Sequence, residues 1–370
     1  MAATPPRGGT FRVLRTARVA PLSRDGVPSL GERAVPLTFL DAIWLQTPPV
    51  DRATVLPPAR RGLALGVTVH HAACDGSSST HFLHTWAAAC AGAAVLPKPP
   101  VIDRTFIRER EDLYDFMVSR TKEESDKFSS PDVADSKLLA TFTLSGEILQ
   151  NIKDRVAGVA ACRGGASPTP RCTSIVATFA VIWQCHIRAT LGDAEADNPR
   201  NHGRAHFVFP TDHRARMEPR VPDKYLGNCV GPCFASAPKK EIAAADAEDG
   251  LFTTCAAIAA AIDEGTRYDP GYWERCREHV GGMSASDGPP LAVAGSPRFR
   301  VYEVDFGFGR PAKVDVVSVA KTGAISVAEG RGGGIEVGVG LPPERMERFR
   351  RCFADAVAWL SSASPSSSDR

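Results

Sequence analysis

A chain of 370 residues is too long for one ordinary hydrophobic core, so two domains are expected. Its 44 Lys and Arg nearly balance 42 Asp and Glu, leaving a net charge of +2, which excludes the chain-wide basic excess of a nucleic-acid binder. With 43% hydrophobic and 23% charged residues it reads as a soluble globular protein.

The longer apolar stretches, such as Ala256 to Ile262, fall short of the roughly 18 to 20 residues that cross a bilayer, so no membrane segment is expected. The basic start, MAATPPRGGTFRVLRTARVA, lacks the continuous apolar stretch of a secretory signal, and the cytoplasm is the expected compartment. Ten cysteines are scattered with no CxxC pair, so they are read as small apolar residues in a reducing environment.

In chain order, residues 63–71 (LALGVTVHH) alternate so that Leu63, Leu65, Val67, Val69 and His71 share the buried face of a strand. After the turn DGSS, residues 79–91 place Phe82, Trp86 and Ala89 or Cys90 at helical spacing, with Gly92 to end the helix. Residues 97–137 are rich in proline and charge and suit a crossover segment. A second domain begins near Leu139, with a helix capped by Ser145, carrying Ile148, Ile152 and Val156 and closed by Gly158. The next helix bears one apolar stripe of Val176, Phe179, Ala180, Trp183, Ile187 and Leu191. The Ala-rich stretch from Ile242 to Ile262 reads as another.

Strands are expected at 299–306, 313–320, 324–329 and 335–340, with GRGGGIEVGVG (330–340) providing a hairpin turn and a close backbone approach. Pro343 opens a last helix with Met346, Phe349, Phe353, Val357 and Leu360 on one face, followed by a disordered tail. Strands and helices mixed in this way argue for layered α/β sandwiches.

The chemistry concentrates in HHAACDG, residues 70–76. A neutral imidazole at a strand end can face a cleft and take a proton near pH 7, which makes His71 a candidate general base; a hydrogen-bonded core histidine is the plain alternative. Asp75, four residues on, either orients that imidazole or pairs with an arginine and holds the loop, the second being favoured because a buried lone carboxylate is costly. His70, on the other strand face, reads as a core histidine. A metal centre built from His70, His71, Asp75, His81 and His84 is disfavoured, because adjacent strand residues point to opposite faces, and no metal is expected. There is no GxSxG elbow, no GxxxxGK[ST] phosphate loop and no GxGxxG turn.

HHAACDG together with DFGFG (305–309) resembles the paired signatures of the BAHD acyltransferases, and YLGNCVGPC (225–233), DHRARMEP (212–219), RVLRTARVAP and PLTFLDAIWL are similar to its anthocyanin and phenolic-glucoside malonyltransferase branch. The resemblance runs from about Phe11 to Leu360. It implies an α/β, two-domain chloramphenicol-acetyltransferase-like sandwich: an N-terminal domain at 1–101, a crossover at 102–138, a C-terminal domain at 139–360 and a tail at 361–370. It further implies that His71 deprotonates an acceptor hydroxyl for attack on an acyl-CoA thioester, with no acyl-enzyme and no permanently bound cofactor. Malonyl-CoA is the donor implied by the branch, and a phenolic or flavonoid glycoside the acceptor, for a monomer with no nucleic-acid or membrane partner.

By the same resemblance Asp305, with Gly307 and Gly309, is structural, Asp305 pairing with Arg214 or Arg216. Phe308 stands where the family has Trp. CoA would lie near Thr173 and Ser174, where a helix start offers N–H groups to phosphate; Ser174 as a simple N-cap is the alternative. Asn228 and Phe308 complete the substrate and CoA set. One departure stands out: the family places roughly a hundred further residues between a PLTFLD-like segment and HxxxD, where about twenty separate Asp51 from His71 here. The first domain is therefore expected to be incomplete. A catalytically impaired relative that binds CoA or a partner without turnover is the alternative, and an N- or polyamine-directed BAHD enzyme a third reading.

Overall fold

A computed structural model describes residues 15–18, 52–56, 64–69, 71, 73–107, 110, 137–163, 169–191, 203–244, 247–284 and 287–362, with the backbone alone for 15–18, 52–56, 64, 68, 320 and 321. The chain forms two compact units, one within Met1–Ser79, Arg108–Ser129 and Leu226–Asn228, the other comprising Thr80–Ile107, Ser130–Tyr225 and Cys229–Arg370.

In the smaller unit, β1 (Arg15–Arg18), β2 (Arg52–Leu56) and β3 (Ala64–Thr68) form an antiparallel sheet in that order, with Thr54 opposite Gly66. The strand expected at 63–71 is thus shorter. Leu65 is exposed and Val67 half-buried, so the alternation marks a face without a deep core among the described residues. His71 lies past the strand, in a turn. Leu63 and His70 lie outside the described residues, as do most of the expected crossover and the tail from 363.

Helix α1 (Gly76–Cys90) follows, and Gly92 ends it with φ +68°. Its expected apolar stripe is not buried: Phe82 is exposed and Trp86 half-buried, while Ser78, Thr80 and Ala87 point inward.

The larger unit is built on a six-stranded mixed sheet of β4 (Leu138–Leu144), β5 (Arg204–Asp212), β6 (Val230–Pro238), β7 (Leu291–Gly295), β8 (Ile325–Glu329) and β9 (Ile335–Leu341), in the order β4-β9-β8-β7-β5-β6. The β5–β7 and β7–β8 pairs are parallel and the rest antiparallel. Four of these strands, β4 to β7, were not expected from periodicity, and β5 and β6 show why. Phe207 and Phe209 join the main core while Val208 joins a second cluster with Phe234, Tyr272 and Cys276. Strands buried on both faces lose the apolar–polar alternation. Conversely, 297–299 and 301–303 form 3-10 turns instead of a strand, and 313–318 is irregular before a single helical turn, Val319–Thr322.

Helices α2 (Gly146–Cys162), α3 (Ser174–Leu191), α4 (Ala247–Gly265), α5 (Tyr272–Gly281) and α6 (Pro343–Ser361) complete the unit. Ser145 caps α2 by accepting from Ile148 N at 3.2 Å. Gly158 does not close it: the helix runs a further turn, to Cys162. The Ala-rich helix starts later than expected, at Ala247, after a separate turn Lys239–Ile242.

Helix α3 packs against α2, α4 and α6 and is buried almost all round, including Thr178, Ile182, Gln184 and Cys185, rather than along one stripe. By length and composition it could cross a membrane, which corrects the expectation that no stretch would qualify, but 67% of it is buried inside the protein, as a core helix is. The buried Arg155 donates from its two terminal nitrogens to Glu248 Oε1, Trp359 O and Ser362 O, and lies 4.3 Å over the Trp359 ring, fastening α2 to the end of α6. Burial pushes the Cys233 thiol up to about 12 and Cys276 to about 11, as expected of packing rather than reactive thiols.

The Gly-rich run forms the β8–β9 hairpin turn, Gly330 N donating to Gly334 O. Gly334, at φ +76°, comes so close to Leu144 O that a Cβ would sit 2.1 Å from it, so both expected features are present.

Candidate active site

The HHAACDG turn is held from two sides within the smaller unit. On its own chain, Asp75 Oδ1 accepts from Ser78 N at 3.0 Å and Asp75 O from Ser79 N at 2.9 Å, so the buried Asp75 is the N-cap of α1. This role adds to the two considered for it from sequence. From the distant segment 226–228, Asn228 Nδ2 donates to His71 O at 2.8 Å. Gly227 O accepts from Ser78 Oγ at 3.2 Å and Gly227 N reaches the same hydroxyl at 3.3 Å. His71, Asp75 and Asn228 are thereby brought together, with His71 itself half-buried.

Asn228, assigned by resemblance to substrate or CoA, here fastens the turn that carries His71. Ser78 was not singled out; its signal was a hydroxyl three residues after a capping Asp. His81 and His84 are tied to backbone carbonyls, His81 Nε2 to Lys98 O at 2.8 Å and His84 Nε2 to Phe299 O at 2.9 Å. Among the described residues no three His, Cys, Asp or Glu side chains converge on a point that could hold a metal ion.

The DFGFG loop lies in the larger unit. Asp305 was expected to pair with Arg214 or Arg216, and the structure corrects this. Its Oδ1 accepts from Gly307 N at 2.8 Å and Gly309 N at 2.9 Å. Gly307 (φ +96°) and Gly309 (φ +107°) turn the backbone so that both N–H groups face the carboxylate, and a Cβ on Gly307 would press on Ala91 Cα at 3.2 Å. Arg214, buried, donates from Nη1 to Asp212 Oδ2 at 3.1 Å and from Nη2 to Tyr225 O at 3.1 Å. Arg216 donates to Asp212 O. Asp305→Ala, which removes both acceptor bonds, is expected to lower stability by about 1–2 kcal/mol, and Asp305→Asn, which keeps an oxygen there, by less than about 1 kcal/mol, read from urea unfolding.

Phe308 is exposed and stacks on Phe306 at 6.1 Å, which in turn meets Trp86 edge-on at 5.0 Å. An open groove of about 460 Å³ beside this loop is lined by His84, Ala87, Val95, Leu96, Glu303 and Asp305. At the start of α3, Thr173 rather than Ser174 is the cap, its Oγ1 accepting from Val176 N at 3.4 Å, while Ser174 Oγ accepts from Lys153 Nζ at 3.0 Å.

Within DHRAR, His213 is 1% exposed, with neither ring nitrogen hydrogen-bonded among the described residues, against the rings of Tyr268 (4.6 Å) and Tyr272 (4.8 Å). Burial, with the charge of Arg216, lowers its pKa to about 4. Unfolded, it binds a proton below about 6.5; folded, it does so only near 4. Its contribution is therefore present above pH 6.5 and is lost progressively as pH falls toward 4. Between pH 7 and pH 5 the parent is expected to lose about 2 kcal/mol more unfolding free energy than His213→Phe, measured by urea titration at each pH.

The Transferase family matches residues 59–355. Phenolic glucoside malonyltransferase 1 of Arabidopsis thaliana is 31% identical over 320 residues, 80% of this chain and 65% of that protein. Agmatine coumaroyltransferase of Arabidopsis thaliana is 27% identical over 320 residues, 82% of this chain and 67% of its own length. Among solved structures, vinorine synthase superposes with a TM-score of 0.51 at 20% identity, covering 77% of this chain and 60% of that one. The TRI101 protein of F. graminearum complexed with coenzyme A and deoxynivalenol gives 0.50 at 16%, covering 78% and 65%. These two show the α/β chloramphenicol-acetyltransferase-like fold, and the chain spans about two thirds of the length of such relatives. A family match across most of the chain, a histidine turn capped by Asp75 and a glycine-turned DFGFG loop lead to one assignment: the chain belongs to the BAHD acyltransferases of the Transferase family.

Proposed function

We propose that the chain is an acyl-CoA-dependent O-acyltransferase with His71 as general base, carrying a malonyl group to a hydroxyl of a phenolic or flavonoid glycoside in the cytoplasm. The observation that carries this reading is the doubly held turn, in which Asn228 anchors the His71 carbonyl while Asp75 caps α1 behind it. Such anchoring fixes the backbone of a base whose proton transfer depends on position.

In the proposed step the neutral imidazole takes the proton of the acceptor hydroxyl as its oxygen bonds to the thioester carbonyl carbon. The tetrahedral oxyanion collapses, the C–S bond breaks, and the departing CoA thiolate receives the proton from the imidazolium. Ester and free CoA result, with no covalent enzyme intermediate. Thr173, Ser174 and Lys153 are the groups proposed to meet CoA phosphate, because a helix start and an ammonium lie together there. Phe308, exposed on its loop, is proposed as an apolar contact for a substrate. The malonyl donor and glycoside acceptor are suggested by the name of the 31% identical relative.

The test is turnover of the purified chain with malonyl-, acetyl- and coumaroyl-CoA against phenolic glucosides and agmatine, read by mass spectrometry. A malonylated glucoside is the expected product. An acylated agmatine would overturn the acceptor, and CoA binding without any product would replace the reading with that of a non-catalytic relative.

A further inference from the structure

We propose that Cys172 and Cys255 form a peroxide-oxidisable dithiol, with Cys172 the attacking and Cys255 the resolving sulfur. Their Sγ atoms lie 3.8 Å apart, one on the segment leading into α3 and the other inside α4. Cys172 is half-buried and open to a small oxidant, whereas Cys255 is wholly buried. The attacking position has the electropositive surroundings that a thiolate needs. It stands one residue before the Thr173 cap, at the positive end of an 18-residue helix, with Lys153 fixed alongside by its bond to Ser174 Oγ.

The same surroundings act on the thiol itself. A hydrogen bond from Cys255 lowers the Cys172 pKa against the opposing effect of burial, and Lys153 lowers it further, while Cys255 is held up. Four other thiols lack this combination: Cys90 and Cys162 are exposed but have no second sulfur within bonding reach among the described residues. Cys185 and Cys233 are buried with raised pKa values.

The chemistry balances with a peroxide as the oxidant. The Cys172 thiolate attacks one peroxide oxygen, an S–O bond forms and the O–O bond breaks, and hydroxide leaves to become water, giving a sulfenic acid. The Cys255 thiol then attacks that sulfur, the S–S bond forms, the S–O bond breaks, and a second water leaves. Two thiols are oxidised and one peroxide is reduced to two waters. The product would link residues 172 and 255 across the helix layer and is reversible by a dithiol reductant.

The full chain is titrated with hydrogen peroxide, quenched with an alkylating agent and mapped by peptide mass spectrometry. The expected result is a linked Cys172–Cys255 peptide, lighter by two hydrogens and restored by dithiothreitol, appearing at doses that leave Cys90 and Cys162 reduced. A Cys255→Ser variant, which keeps a donor beside Cys172 and is checked for folding by circular dichroism, is expected to trap a dimedone adduct at Cys172. Oxidation of Cys90 or Cys162 before Cys172, a linked peptide only in urea, or no adduct at Cys172 in the folded variant would each overturn the proposal.

Discussion

Replacing His71 by alanine is expected to lower turnover about 10²- to 10⁴-fold while leaving donor binding largely intact, the cost of losing a positioned general base. Asn228 meets the His71 backbone carbonyl, and Asp75 caps α1 through Ser78 N, so neither bond needs the side chain that is removed. The alanine protein should therefore keep both bonds, and its folding is checked by urea unfolding. Rates are measured with the donor and acceptor pair found active in the panel above, and activity within about threefold of the parent in a folded His71→Ala protein would remove His71 from the chemistry.

The largest stability effect is expected at Trp183. It is wholly buried in α3, stacked on Phe207 of β5 at 5.4 Å, and is the bulkiest of the fully buried side chains among the described residues. Trp183→Ala opens a cavity where α3 meets the sheet and is expected to cost about 3–5 kcal/mol. One term works against this, because Nε1 is buried without a hydrogen-bond partner among the described residues, and removing an unsatisfied donor returns about 1–2 kcal/mol. The cavity wins. Trp183→Phe, which removes the donor while keeping most of the ring volume, should cost less than about 2 kcal/mol and so separates the two terms. Thermal unfolding checks both, and a fall of less than about 2 °C for Trp183→Ala would contradict the packing described.

The shortening expected before HxxxD from the family resemblance bears on both measurements differently. It concerns the sheet of β1, β2 and β3 and the turn carrying His71, whereas Trp183 belongs to a unit with its own six-stranded sheet and helix layer. Inserting the family's segment between Asp51 and His71 is therefore a test of turnover, with the Trp183 result unaffected.

Residue order alone determined those features whose signal is local. Ser145 and Pro343 mark helix starts because capping and a preset φ act within one turn, and the Gly-rich run marks a hairpin because only glycine accepts its backbone angles. The paired motifs were likewise legible, and with them the family. Tertiary contacts decided the rest. Strands β5 and β6 hid from periodicity because the sheet is covered on both faces, so Val208 and Phe234 are as buried as their neighbours. The partners of Asp305 are the N–H groups of two positive-φ glycines close by in sequence, while Arg214 donates to Asp212. The bond from Asn228 to His71 spans 157 positions, and no local pattern encodes a contact at that separation; only the folded chain brings that amide to that carbonyl.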